Sequence, residues 1–173
     1  LKAEGRVLAD RSPEMLRWRL ADPDRTDPPV LLAFRREGAI TGYAMALPAK
    51  GNPIEPATLE IIDLIALQDE PHAIPALMQA LIQTARTVGA AKLRLQVVNE
   101  DLLRRLGTSA RRAHHEGGWG HCHAAFRPGA PSSLNWQPTP FDGDYGVCQR
   151  PIPFGQNDRP APVRTEAGAS PQA

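Results

Sequence analysis

The sequence predicts an α/β layered domain in which a mixed, mainly antiparallel sheet is flanked by helices. Two short apolar runs joined at Glu37-Gly38 are typical of an antiparallel hairpin. A nearly continuous apolar run over residues 58–67 indicates a strand that is buried on both faces. A strongly amphipathic helix then leads to a second, alternating run, KLRLQVV. Together these elements place the 58–67 strand at the centre of the sheet, between residues 39–47 and 92–98.

Capping residues predict where the helices begin and end. Ser12 followed by Pro13 begins the first helix, because Ser caps the free N–H groups and Pro is preorganised for the first position. Gly89 ends the long helix, and Pro75 must lie in its first turn. Asn99 caps a short helix that ends at Gly107. The apolar face of the long helix comprises Ile74, Leu77, Met78, Leu81, Ala85 and Val88.

Composition limits the classes of partner and the compartment. Twenty Lys and Arg against nineteen Asp and Glu leave a net charge of +1, which argues against a nucleic acid or an anionic membrane as partner. No run reaches the roughly 18 apolar residues of a membrane span. The two cysteines, Cys122 and Cys148, are too few for a disulfide framework and suit a reducing compartment. We therefore expect a cytoplasmic protein.

The distribution of proline divides the chain. Residues 1–152 are expected to form one domain, and residues 153–173 a disordered proline-rich tail, because few large apolar residues follow Phe154 to offset the entropy of ordering. The first residue is Leu rather than Met. We therefore expect the domain to be the C-terminal part of a longer chain, with an upstream domain as a partner.

The order of elements resembles the GNAT acyltransferase family after its first strand and helix. TLEIIDLIAL, the helix ending in VGA, KLRLQVV, and Asn99 followed by Leu106-Gly107 carry the resemblance. More loosely, MLRWRL, REGAITGYAM and DGDYG resemble GNAT-like proteins of bacterial polysaccharide synthesis. The resemblance implies a domain that transfers an acyl group from acyl-CoA, such as acetyl-CoA, to a small-molecule amine or amino-sugar acceptor.

The same resemblance assigns the cofactor to the 58–67 strand and the turn after it. The family binds the CoA pyrophosphate on a Gln/Arg-x-x-Gly-x-Gly/Ala turn, where free N–H groups at a helix N-terminus receive the anion. Here residues 68–75 contain no glycine, two prolines lack an N–H group, and two acids add negative charge. Weakened binding is therefore expected. The candidate cofactor-binding residues are Leu64, Ile65, Ala66, Leu67, Gln68, His72 and Asn99.

Asp63 and Glu60 are the candidate catalytic residues, as general bases with a pKa raised by burial. Their spacing of three places them on opposite faces of a regular strand, so that only one faces the cleft. A structural interpretation remains open, in which Asp63 is hydrogen-bonded or paired with an Arg and Glu60 is solvated. The helix after Asn99 lacks the tyrosine that many family members use as proton donor, and Tyr43 or Tyr145 would have to replace it from elsewhere. A catalytically inactive GNAT-fold module that binds a partner domain or a saccharide is the alternative function.

A second hairpin is predicted near the end of the ordered body, from residues 111–115 to residues 119–127. Its histidines, His114 or His115 with His121 and His123, approach a three-His site, which would make the chain a metal-binding hairpin protein. The spacing matches no established zinc signature, so we expect solvated histidines and no metal.

Three other features have a structural expectation. Trp18 is expected in the core beneath the first hairpin. The residues 142–144 are expected to form a turn rather than a calcium loop. The one basic cluster is expected to be solvated and comprises Arg104, Arg105, Arg111 and Arg112.

Overall fold

The computed structural model describes residues 4–21, 27–49, 56–96, 99–115, 127–129 and 135–143. In this part of the chain the strands form one sheet in the order β1-β2-β3-β4. The elements in chain order are α1 (Pro13–Leu20), β1 (Val30–Arg36), β2 (Ala39–Ala49), β3 (Thr58–Ala66), α2 (Ala73–Thr87), β4 (Lys92–Leu95), α3 (Glu100–Leu106), α4 (Thr108–Arg112) and a 3-10 turn (Pro140–Asp142).

The predicted hairpin is confirmed as the antiparallel pair β1 and β2. Glu37 and Gly38 connect the two strands, and both have positive φ angles, 49° and 84°. Two consecutive left-handed residues suit a two-residue loop, because their twist matches that of the flanking strands. The Glu-Gly dipeptide therefore determines where the chain reverses.

β3 lies inside the sheet, as its apolar sequence predicts. All nine of its residues are buried. It pairs antiparallel with β2 along its length, but parallel with β4 only from Thr58 to Ile61. The C-terminal half of β3 therefore continues beyond the end of the β4 pairing. The predicted extension of β4 to residues 97–98 lies outside the described residues.

A β-bulge at Ile62 changes which side chains of β3 share a face. Asp63 is opposite Met45 and Ile61 is opposite Ala46, so Ile62 is the extra residue. Glu60 is opposite Leu47, which lies on the same face of β2 as Met45. Since directly opposed residues share a face, Glu60 and Asp63 point to the same side. The prediction that they occupy opposite faces is wrong, because it assumed a regular strand.

The sheet separates two apolar clusters. On one face, β2 and β3 pack against α2 and α3, and this larger cluster includes Leu59, Ile61, Leu64, Ile74, Leu77, Leu81, Leu102 and Leu106. On the other face, a smaller cluster is formed by Met45, Ile62 and Phe141. It packs against Leu47 of β2 and against three residues of α1, Met15, Leu16 and Leu20. The layered α/β architecture is therefore confirmed.

The caps lie where the sequence predicts them. The Ser12 hydroxyl accepts from the Met15 amide at 3.3 Å. The Asn99 side chain accepts from the Leu102 amide at 2.7 Å. Gly107, with φ of 55°, follows α3. These short-range hydrogen bonds satisfy N–H groups that the helices themselves leave free.

Two elements differ from the prediction. The prediction that Trp18 lies in the core is wrong, because its side chain is 69% exposed. Leu16 and Leu20 of α1 face the sheet. Trp18 is two positions from each of them, which is a rotation of about 200° around the helix, so it faces away from the sheet. The first two residues of the predicted second hairpin, 111 and 112, instead end helix α4, whose sequence contains the good helix formers Ala and Arg, and residues 113–115 of the same arm are neither helix nor strand. Residues 119–126 of its other arm, and the predicted tail 153–173, lie outside the described residues.

Among the helices that the structure describes, none combines the length and apolar character needed to cross a membrane.

Candidate functional site

The end of β3 borders a small polar cavity. Its volume is about 20 Å³, which is room for roughly one water molecule. N-terminal residues, residues from the stretch 137–139 and residues of α3 line its other sides. Four of the predicted cofactor-binding residues line it: Leu64, Ile65, Ala66 and Asn99. The other lining residues are Arg6, Leu8, Ile74, Asp101, Leu102, Arg105, Gln137 and Thr139.

Arg6 reaches the backbone of β3 from the N-terminal side. Its Nη2 donates to the Ala66 carbonyl at 2.7 Å and its Nη1 to the Gln137 side chain at 3.4 Å. It also forms an ion pair with Glu4. The side chain is 5% exposed, and its buried Nε has no hydrogen-bond partner among the described residues. Sequence reasoning missed Arg6, because no local pattern marks a residue that acts 60 positions away.

Arg105 reaches the same end of β3 from α3. It donates to the carbonyls of Leu67 at 2.7 Å, of Ala66 at 3.3 Å and of Glu70 at 3.3 Å. Burial lowers the pKa of Arg105. The expectation that this arginine belongs to a solvated cluster is wrong. The reason is that residues 66–70 turn away from the sheet and leave carbonyls that an arginine fork can satisfy.

The turn between β3 and α2 holds the remaining candidates. The Gln68 amide donates to the Glu4 carboxylate at 2.6 Å. The Glu70 side chain is buried and accepts from Arg36 at 3.2 Å, so its carboxylate is held at the end of β1. His72 is exposed and makes no side-chain cap at the start of α2. The negative charge near this turn therefore comes from Asp69, which is exposed, and from Glu4, which is paired with Arg6.

Asp63 has no exposed surface and lies in a network of donors. Its carboxylate accepts from the Thr139 hydroxyl at 2.7 Å and from the Tyr43 hydroxyl. The Nε of Arg11 lies 3.3 Å from Oδ2 and its Nη2 lies 3.5 Å from Oδ1. This geometry matches the structural interpretation, in which Asp63 is paired with an arginine.

Glu60 is also buried, so the expectation that it is solvated is wrong. Its Oε2 lies 3.9 Å from Nη1 of Arg94 in the neighbouring strand. Glu60 is opposite Arg94 in the parallel register, which explains why the two charges meet. Both candidate bases therefore have cationic partners on the same face of the sheet.

The groups around Asp63 have shifted pKa values. Burial and the Asp63 charge raise the pKa of Tyr43, which makes its hydroxyl a poorer acid than an exposed tyrosine. Burial opposes ionisation of Asp142, but donors from Arg11, Thr139 and Ala9 lower its pKa. Burial likewise opposes the charge of Arg11, and the two acids raise its pKa.

Phe141 covers this network on the α1 side. The Arg11 guanidinium carbon lies 4.5 Å from the centre of the Phe141 ring, and that of Arg19 lies 5.5 Å from it. Cations within about 6 Å of an aromatic face are attracted to it. Residues 142 and 143 complete the turn that the sequence predicts, as far as the described residues extend.

The predicted histidine site is only partly within the described residues. His114 and His115 are exposed and follow α4. His121, His123 and Cys122 lie outside that part, as does Tyr145. Among the described residues, no group of three His, Cys, Asp or Glu side chains is placed to hold a metal ion.

Comparison with known proteins identifies structural neighbours only. No protein-family model and no curated protein matches this chain. An aminoglycoside acetyltransferase from an uncultured soil metagenomic sample, solved in complex with trehalose, is 16% identical over 69% of this chain and 77% of that chain, with a TM-score of 0.51. Another aminoglycoside acetyltransferase from such a sample is 18% identical over 66% of this chain and 77% of that chain, with a TM-score of 0.49. An integron cassette protein from the mobile metagenome of V. cholerae is 13% identical over 65% of this chain and 74% of that chain, with a TM-score of 0.49.

The first of these similarities bears on the fold. Its sequence identity is too low to transfer an activity, but its alignment covers most of both chains. Its TM-score of 0.51 shows a shared fold. The observed order of a hairpin, a central strand, a helix, a parallel strand and a short helix is also the order that the GNAT resemblance predicts. The chain therefore has the GNAT acyltransferase fold.

Proposed function

We propose that this chain is an N-acyltransferase domain that binds acyl-CoA along the C-terminal half of β3 and transfers the acyl group to an amine. The acceptor is a small-molecule amine or an amino sugar. The observation that carries the proposal is that β4 ends at Leu95, opposite Ile61, so that among the described residues no strand pairs with this edge of β3 after Ile61. Beyond that point, Leu64 and Ala66 border a polar cavity, where backbone groups can bond a ligand in place of a strand.

Bound acyl-CoA would supply an activated thioester carbonyl. The backbone N–H groups at the end of β3 would orient and polarise that carbonyl, as donors fixed in advance do in other acyl transfers. Asp63 does not act as the base in this proposal, because three donors already hold its carboxylate. We assign it a positioning role instead: it holds Thr139, which lines the cavity.

Acetyl-CoA binding is expected to be weak. We expect a dissociation constant in the millimolar range, or about −4 kcal/mol. The 68–75 turn contains no glycine, Pro71 and Pro75 lack donors, and Asp69 adds an exposed negative charge. The Gln68 amide already donates to Glu4.

A turn variant tests whether this turn limits binding. Asp69→Gly combined with Pro71→Arg should tighten acetyl-CoA binding at least tenfold in calorimetry, about 1.4 kcal/mol. Glu70 is left unchanged, because its carboxylate pairs with Arg36. The matched control is Asp27→Gly with Pro28→Arg, which makes the same substitutions at another exposed acid–proline pair. Equal affinities for the two variants would contradict a limiting role of the turn.

Transfer is tested by the release of free CoA thiol from acetyl-CoA. We expect release in the presence of a primary amine such as glucosamine and none with glucose, which has a hydroxyl in place of the amine. Release that is the same with both sugars would indicate hydrolysis rather than transfer to an amine. Binding of acetyl-CoA without release with any amine would instead favour the alternative function.

That alternative is a catalytically inactive module that binds a partner domain or a saccharide. The specific observation in its favour is that Glu60 and Asp63 are both buried beside arginines. The raised pKa of Tyr43 also makes this residue a poor substitute for the missing proton donor. The module predicts saccharide binding that is unaffected by saturating acetyl-CoA.

A further inference from the structure

We propose that residues 4–8, the N-terminal segment, occupy the cofactor-binding end of β3 and must leave it before acyl-CoA binds. The segment would act as an intramolecular competitor that regulates access to the site. This inference rests on the proposed function, because it concerns the same backbone groups.

Two contacts place the N-terminal segment on groups that the cofactor would use. Arg6 donates to the Ala66 carbonyl at 2.7 Å, and Glu4 accepts from the Gln68 amide at 2.6 Å. Ala66 and Gln68 both belong to the candidate cofactor-binding residues. A carbonyl and an amide that already bond within the chain are less available to a ligand.

The contact with Gln68 is also electrostatic. The Glu4 carboxylate lies on the amide that opens the 68–75 turn, where the GNAT resemblance assigns the pyrophosphate. Burial opposes its ionisation, but the Gln68 amide and Arg6 lower the pKa of Glu4, so the group is an anion at neutral pH. A phosphate that took the Gln68 amide would have to replace the Glu4 carboxylate, because two anions repel each other at short range. Once Glu4 leaves, the cations Arg6 and Arg105 remain at this turn.

The N-terminal segment is held in place on its other side. The Val7 amide donates to the Asn135 carbonyl at 2.8 Å, and the Val7 carbonyl accepts from the Gln137 amide at 3.3 Å. These bonds form a parallel bridge between Val7 and Trp136. Leu8 and Gln137 both line the cavity. The segment is therefore part of the cavity wall rather than a loose end.

The small volume of the cavity supports the proposal that the N-terminal segment is displaced when acyl-CoA binds. A cavity of about 20 Å³ beside Leu64 and Ala66 accepts roughly one water molecule. Pockets for small organic ligands typically measure about 300–1,000 Å³. An acyl arm can enter this cavity only if one of its walls moves. Arg105 of α3 also donates to the Ala66 and Leu67 carbonyls. Among the described walls, the N-terminal segment is the one that covers the Gln68 amide as well as a carbonyl.

The test compares variants that release the segment with matched surface variants. Glu4→Ala and the double variant Glu4→Ala, Arg6→Ala remove the contacts, and Glu4→Gln keeps an acceptor but removes the charge. The controls are Glu14→Ala and Arg17→Ala, at exposed positions of α1. Acetyl-CoA affinity is measured by calorimetry. Exchange of the Gln68 amide hydrogen, measured by NMR, reports separately whether Glu4 covers that amide.

We expect the double variant to bind acetyl-CoA at least tenfold more tightly than the unmodified chain, with Glu4→Ala and Glu4→Gln between them and the controls unchanged. Gln68 exchange should be slow in the unmodified chain and faster in Glu4→Ala. Measurable but equal affinities in all proteins would overturn the competition and leave the proposed function intact. Rapid Gln68 exchange that Glu4→Ala does not change would also overturn it. No binding by any protein at acetyl-CoA concentrations well above the millimolar range would overturn the proposed function, and the competition with it.

Discussion

The Nε atom of Arg11 lies 3.3 Å from the Oδ2 atom of Asp63, at the buried centre of the sheet. The same arginine donates to Asp142 in the 3-10 turn and to the Thr139 hydroxyl at 3.0 Å. Asp63 accepts from that hydroxyl as well. One ion pair thus connects the segment before α1, the central strand and the chain near residue 140. Loss of this ion pair would therefore destabilise the packing of all three segments.

Replacing Asp63 tests whether its role is structural. Asp63→Ala should lower the free energy of unfolding by about 3 kcal/mol or more, because it leaves the buried charge of Arg11 with one acid fewer. Urea denaturation measures the change. Asp69→Ala, which removes an exposed acid, should change it by less than about 0.5 kcal/mol. A neutral Asp63→Ala variant would contradict the structural role and return Asp63 to the list of candidate bases.

Tyr43 should remain protonated well above the ordinary tyrosine pKa of 10.0, because burial and Asp63 disfavour its anion. Since Tyr43 and Tyr145 are the only tyrosines, a Tyr145→Phe background allows Tyr43 to be followed alone by its ultraviolet absorbance. We expect no tyrosinate as the pH passes 10 while the chain stays folded. Ionisation at the ordinary pKa would show that the hydroxyl is not held by Asp63.

The pH dependence of stability should reflect Asp142. Its folded-state pKa lies below the ordinary value of 3.8, so its contribution is fully present above that value and is lost as the pH falls through the folded-state pKa. Asp142→Asn should therefore be less stable than the unmodified chain at neutral pH and lose less stability on acidification. Thermal melts from pH 6 to about pH 2 measure both slopes. Asp69→Asn should show the same dependence of stability on pH as the unmodified chain. If the stability of Asp142→Asn fell with pH in parallel with that of the unmodified chain, the assignment of this dependence to Asp142 would be refuted.

The central position of β3 predicts a large penalty for a charge at Leu64, which is 3% exposed. Leu64→Asp should destabilise the chain by several kcal/mol, on the order of 4, since the carboxylate would be buried without a partner. Ile40→Asp makes the same change at a residue that is 57% exposed and should have little effect in urea denaturation. Similar midpoints for both variants would mean that β3 is not the core of the sheet.

Local patterns in the sequence determine the elements and their order. Glu37-Gly38 places the hairpin, Ser12 and Asn99 cap α1 and α3, and Gly89 ends α2 with φ of 72°. Each of these signals acts through residues within about four positions, because turns and caps are hydrogen bonds between near neighbours. The unbroken apolar run of β3 likewise predicts its burial without reference to any partner.

The tertiary structure alone decides what surrounds the candidate site. The bulge at Ile62 depends on the register with β2, and it places Glu60 and Asp63 on one face where regular alternation separates them. Arg6 and Arg105 meet at Ala66 from 60 and 39 positions away. Such contacts depend on the packing of distant segments, which no short-range spacing encodes. The sequence by itself therefore determined the layered fold and the candidate strand. The packing decided that the acids of this strand are paired and that Arg6 and Arg105 cover the end proposed to bind the cofactor.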